Sequence, residues 1–217
     1  GDALLSLNVI TPPSRIVVID KEEVESMRAL ENVEDVEPMA SFTSLVTFGD
    51  LTASIVLNGA RPKYFSYAGV VAEKGDLFED NETDKALISS AVLQLFELEP
   101  EDIIGQKVSF KVFLPIEGTD EVQEIPIDRE FEVKGVIADE ASIFAYIHIS
   151  EFNSSFVVPY FDKARVKVIS REFLDVVEDQ ILQKGFVVTA LSKTVDQANK
   201  IFAGVQVTLA LFGGIAL

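Results

Sequence analysis

Apolar positions with a period of two, and others spaced three and four apart, divide this chain into strands and helices. The β-branched run Arg15-Ile16-Val17-Val18-Ile19 predicts a first strand. Asp20 follows as a helix N-cap, with Glu23 three residues on as its capping-box partner. Val24, Met27 and Leu30 then keep helical spacing until Asn32, and Val33 to Met39 returns as a strand. Near the other end, Ala164-Arg165-Val166-Lys167-Val168 alternates cleanly. A helix is predicted from Arg171 to Lys184, with Phe173, Leu174, Val177 and Ile181 on one side and Gly185 as its C-terminal cap. Phe186 to Thr189 is the returning strand. Ser192 or Thr194 then caps a last helix carrying Val195, Ala198, Ile201 and Phe202.

Two strand–helix–strand units of similar length predict an α+β fold. Its expected form is a split βαβ, ferredoxin-like lobe made from both chain ends (residues 1–58 and 160–200), with both helices on one face. A mainly β lobe, residues 59–159, is inserted into it. Between the units, strands are predicted at Ser44–Phe48, Ala53–Leu57, Lys107–Leu114, Glu130–Ile137 and Phe156–Pro159. One helix interrupts them from Asp84 to Glu97, and surface loops are expected at Gly118–Asp128 and Ala138–Ser142. No long linker separates independent domains, so the expectation is one domain with a nested lobe.

From Ile201 to Leu217 the chain carries no charge, and Gln206 and Thr208 are its only polar side chains. Seventeen such residues are slightly fewer than the roughly 20 that cross a bilayer. The stretch is expected to be the start of a transmembrane helix, in a fragment of a larger membrane protein.

Composition narrows the chemistry. Apolar residues make up 48% of the chain, a share that belongs to a folded globular protein. The net charge of −18 repels phosphate backbones, so nucleic acid is not an expected partner. There is no cysteine, which removes disulfides, thiol catalysis and thiolate metal sites together. The single histidine, His148, lies between Ile147 and Ile149 and is expected to be a satisfied strand residue. No G-x-S-x-G turn accompanies it, and no G-x-x-x-x-G-K-[ST] phosphate loop exists, so the chain is not itself an ATPase. Asp76, Glu79, Asp80, Asn81, Glu82 and Asp84 crowd one segment, but their spacing is not that of a calcium loop, and solvated loop charge is expected. No catalytic residue, cofactor or metal site is assigned.

Several segments taken in order resemble MacB-like periplasmic core domains of FtsX/MacB-type ABC transporter permeases. The run ENVEDVEPMASF, Glu31 to Phe42, is similar to the family's GV-x-x-V-x-P opening, with Asn32 where Gly is usual. Asn also tolerates a left-handed turn. Gly59, Tyr64, Phe65, Gly75 and Phe78 fit a following segment, with Asp76 where Arg is common. Lys85 to Ser89, Ile104 to Val108, Phe131 to Ile137 and Val157-Val158-Pro159 match later segments, and the resemblance runs from Glu31 to the end.

That resemblance implies a non-enzymatic domain held outside the cell membrane between the first two transmembrane helices of a permease. ATP-driven helix movement would be coupled there to export, lipoprotein extraction or control of cell-wall hydrolases. The implied partners are a cytoplasmic ABC ATPase, separate or fused, a second permease copy, and an extracytoplasmic protein or lipid. The alternative is a membrane-anchored binding or sensor ectodomain. Tyr64, Tyr67, Phe144 and Tyr146 are nominated as partner contacts because aromatic clusters anchor interfaces; Phe65 is expected in the core.

Overall fold

A computed structural model describes residues 1–190 of the chain. The expected last helix and the uncharged stretch 201–217 lie outside the described residues. Among the described residues, no helix is long and apolar enough to cross a membrane.

A 3₁₀ turn, Asp2–Leu5, leads into β1 (Ser6–Ile10), whose Leu7 and Val9 point into the core. The first strand is therefore not Arg15–Ile19. Pro12 and Pro13 end β1, and the β-branched run beyond them is loop, joined to the sheet only by a bridge from Ile19 to Phe161. Helix α1 (Lys21–Arg28) starts as expected, with the Asp20 carboxylate accepting the Glu23 N–H at 2.8 Å. Asn32 then turns the chain at φ 69°, the left-handed conformation its side chain tolerates.

Strand β2 (Val33–Phe48) is 16 residues long and continuous where two strands were expected. It turns at Gly49-Asp50 into β3 (Leu51–Ala60). Helix α2 (Pro62–Ala68) and the short β4 (Lys74–Gly75) follow. The helix expected over Asp84–Glu97 is half strand: β5 (Lys85–Ser89) runs straight into α3 (Ser90–Phe96). Then come α4 (Pro100–Ile103), β6 (Lys107–Pro115), β7 (Val122–Pro126), β8 (Phe131–Ile137) and β9 (Phe144–His148). Strand β7 lies inside the segment expected as loop, because its backbone zips onto β6 although most of its side chains are exposed. Helix α5 (Ser150–Ser155) precedes residues 156–160, which form no strand. Strand β10 (Lys163–Val168), a 3₁₀ turn at Arg171–Phe173, α6 (Leu174–Gln183) and β11 (Val187–Ala190) complete the order.

The result is a mixed α/β fold. The terminal strands pair antiparallel in the order β11-β1-β10-β2. Val24 and Met27 of α1 and Leu174, Val177 and Ile181 of α6 share one core with Leu7, Val9, Val36, Ala164 and Val166 of these strands. The remaining strands close on themselves. β2 pairs with β3, β3 with β9, β9 with β5, β5 with β8, β8 with β6, and β6 returns to β2. Such closure removes sheet edges. Val46, Leu57, Phe110, Phe131, Val133 and Ile147 are among its buried side chains.

Strand β2 belongs to both units. It pairs with β10 through Met39 and with β3 from Ala40 onward. Residues 40–58, expected with the terminal strands, thus pair within the ring.

Candidate functional site

Helix α2 is short and sharply bounded, with Pro62 at its first position and Gly69 at φ 70° after its last. It leaves β3 and packs on the face of the terminal sheet opposite α1 and α6. Tyr64, Phe65 and Tyr67 are all buried there. Phe65 meets Phe78 and Tyr146 edge to face, each with ring centroids 5.1 Å apart, and Phe144 meets Tyr146 at 5.6 Å. Met39, Ala60 and Leu87 close this second cluster.

Of the four nominated contacts, the structure brings Phe144 and Tyr146 together and sets Tyr64 and Tyr67 on one helix nearby. Tyr64, Tyr67 and Tyr146 are 3%, 6% and 9% exposed, so their rings are packed inside. Phe144 alone keeps partial exposure and, with Val70, Val71 and Ile137, lines an apolar cleft of about 530 Å³. Phe65 is core, as expected.

A charged layer surrounds the tyrosines. The Arg165 guanidinium lies 6.0 Å from the Tyr64 ring centroid, and the Lys167 ammonium 5.7 Å from that of Tyr67. The Tyr67 hydroxyl donates to Asp35 at 2.8 Å, and burial and that bond both raise its pKa. Lys63 and Arg28 also approach Asp35, while Lys167 bridges Asp2 and Glu34. Directly opposite Arg165 in the ladder stands Glu37, which is 2% exposed. Its Oε2 finds no hydrogen-bond partner among the described residues. Burial raises the Glu37 pKa and the Asp35 charge adds to the rise, partly offset by Arg61, Arg28 and Lys63.

His148 ends β9 with both ring nitrogens engaged. The Ser150 backbone N–H reaches Nδ1 at 3.2 Å and the Ser150 hydroxyl at 2.7 Å, so Nδ1 accepts and Nε2 donates to Asp80 at 2.9 Å. Arg61 holds the same Asp80 with two bonds, at 3.1 and 3.3 Å. Arg61 first, and His148 second, pull the Asp80 pKa down to about 2. Ser150, His148 and Asp80 are the residue types of a hydrolytic triad, and no spacing motif in the sequence could have shown their meeting. Here Ser150 sits two residues from the ring that binds it, and the ring is buried beside Phe78. The arrangement ties the acidic loop and the start of α2 to the end of β9. Among the described residues, no group of three or more acidic or His side chains could hold a metal ion.

The model of the MacB-like periplasmic core domain family matches residues 3–200. A macrolide export ATP-binding/permease protein MacB of Bartonella henselae is 28% identical over 99 residues, 43% of this chain but 15% of that protein. Among solved structures, the periplasmic region of MacB from Actinobacillus actinomycetemcomitans superposes with a TM-score of 0.64 at 18% identity, covering 91% of this chain and 94% of that one. The extracellular domain of the noncanonic ABC-type transporter YknZ from Gram-positive bacteria gives 0.56 at 16% identity, covering 80% and 87%. A domain of a permease protein from Porphyromonas gingivalis gives 0.53 at 15% identity, covering 88% and 92%. These likenesses agree in fold, and with nine-tenths of its length matched by the family model, this chain belongs to the MacB-like periplasmic core domain family.

Proposed function

We propose that this chain is the outer domain of an ABC transporter permease, passing ATP-driven movement of membrane helices to a substrate or partner on the extracytoplasmic side. The observation that carries this reading is the pairing of β1 with β11, in which Leu7 stands opposite Ala190. The polypeptide enters and leaves the described fold side by side. A domain strung between two helices of one membrane requires that arrangement.

In this reading the terminal strands with α1 and α6, residues 1–39 and 161–190, are a split βαβ lobe of the ferredoxin-like kind. Residues 40–160 are the inserted, mainly β lobe. Strand β2 crosses between them unbroken, a stiff path from the membrane-proximal sheet to the distal ring. The domain does no chemistry of its own. An ABC ATPase, separate or fused, supplies the motion, a second permease copy completes the pathway, and Phe144 at the apolar cleft contacts a protein or lipid partner.

The chain has no native cysteine, so a single Val157→Cys, at a side chain 87% exposed, reports its side of the membrane. In intact cells making the full-length protein with any cysteine outside this chain replaced, a membrane-impermeant maleimide is expected to label it. Labelling only after the membrane is opened would overturn the reading.

A further inference from the structure

Strand β2 has an uncovered notch at its middle. One of its edges is paired with β3 from Ala40 to Phe48. Its other edge is paired with β10 as far as Met39 and with β6 from Ser44. Four residues, 40–43, have no strand beside them on that edge. The two-residue turn at Gly49-Asp50 makes Phe48 and Leu51 a hydrogen-bonded pair, so even-numbered residues of β2 bond to β3 and odd-numbered ones face the notch. Ser41 confirms the phase, because its N–H is taken on that side by a side chain, the Asp162 carboxylate, at 2.7 Å. The Ser41 carbonyl and the Thr43 N–H point the same way, and both ladders stop short of them. These are the two groups that an incoming strand would engage opposite Phe42.

The notch opens into a cleft of about 700 Å³ walled by Phe113 and Pro115 of β6 and by Tyr160 and Asp162. Thr43 is exposed within it. Charge points to the kind of occupant. The cleft is lined by the acids Glu117 and Asp162 and by one base, Arg15, which lies over the Tyr160 ring. The hairpin that leaves it at Glu117–Thr119, residues 117–130, carries six acids (Glu117, Asp120, Glu121, Glu124, Asp128 and Glu130) against one base, Arg129. Beside the cleft in sequence, Ile16 and Val157 are 86% and 87% exposed.

We infer that the notch receives an extended segment of a separate polypeptide, alternately basic and apolar, as a short added strand on β2. Main-chain bonds to Ser41 and Thr43 supply the register. Basic side chains meet the acidic hairpin, and apolar ones meet the aromatic and proline walls. A second copy of this chain, at −18, does not complement that rim. The inference deepens the partner-handling part of the proposed function and rests on it only for where the partner is found. Binding is measured on this chain alone, so its failure leaves the coupling reading standing.

The test uses the 217-residue chain and a fluorescent peptide of about ten residues alternating Lys and Val, long enough for one strand. A Glu–Val counterpart, and two copies methylated on alternate backbone nitrogens in the two registers, serve as comparisons. The Lys–Val peptide is expected to bind and to slow hydrogen exchange at the Thr43 amide, and the Glu–Val peptide is not. One methylated copy should bind about fivefold more weakly, since it loses the bond to the Ser41 carbonyl and a main-chain bond contributes on the order of 1 kcal/mol. Thr43→Pro should weaken the unmodified peptide similarly; it removes an N–H that β3 does not use, so the ring ladder is kept. No binding up to roughly 1 mM, equal binding of all four peptides, or binding without protection of Thr43 would each overturn the inference. So would a Thr43 amide already protected in the free chain, or protected as the chain self-associates.

Discussion

Glu37 holds a carboxylate in a place where water cannot reach it and one oxygen goes without a hydrogen bond. Its raised pKa means that the folded chain holds the proton more tightly than the unfolded chain does. Charged Glu37 therefore subtracts from stability above that range, and the penalty fades as pH falls toward about 4.3, where the unfolded side chain also takes up its proton. Glu37→Gln should raise the Tm at pH 8 and give no gain near pH 4. Thermal unfolding followed by circular dichroism across that range checks it, and a loss at pH 8 would mean that the charge is needed. Asp80 works in the opposite sense. Its lowered pKa adds stability that is present above about 4 and is lost as pH falls through about 2. The Asp80→Asn chain should thus melt below the parent at pH 7, with the gap closing toward pH 2. Neither property could be read from the sequence, where both residues are ordinary acids. Their environments are made by α2, which carries Tyr64 and Tyr67 against the sheet and starts from Arg61.

At the scale of elements, glycines mark where backbones come closest. Gly75 and Gly135 face each other where β4 meets β8, and a Cβ on Gly135 would lie 2.4 Å from the Asp76 carbonyl oxygen. A main-chain atom cannot swing aside, so Gly135→Ala should cost about 3 kcal/mol in urea unfolding, the upper end for overpacking. A change within ~0.5 kcal/mol would show that β4 is free to lift away. The elements that the sequence revealed are those with a local signal, such as the Asp20 cap of α1, the alternation of β10 and the apolar side of α6. Strand β1 is not legible because the short run SLNVI precedes two prolines and a more strongly β-branched segment. Helix α2 is not legible because the aromatic run Tyr64-Phe65-Ser66-Tyr67 has no helical period. Pro62 before it and Gly69 after it were the available signals. The apolar run Ala86-Leu87-Ile88 fits strand or helix equally well, so the sequence does not divide β5 from α3. The aromatics nominated as contacts were recognised as a cluster, but which face they turn to solvent is decided by the sheet they cover, a non-local fact.

For the whole molecule, closure of the ring depends on parallel pairings, Asn58 beside Tyr146 and Ile88 beside Val136, between segments far apart in sequence. No local pattern encodes them, and the two terminal strand–helix–strand units imply only that a second lobe is inserted between them. The proposed mechanics follow from β2, which runs from the terminal sheet into the ring as one strand. Bending it at Met39 would break the ladders with both β10 and β3 and open the aromatic cluster under α2. The domain should therefore move as one body. The most direct measurement is electron–electron spin resonance on the full-length permease with its ATPase in nanodiscs, with labels at exposed Lys21 and Asp50. On going from the nucleotide-free to the ATP-trapped state, the Asp50–Asp50 distance between two copies should change while the Lys21–Asp50 distance within each stays fixed. A changed distance within one copy, or no change between copies, would contradict the account.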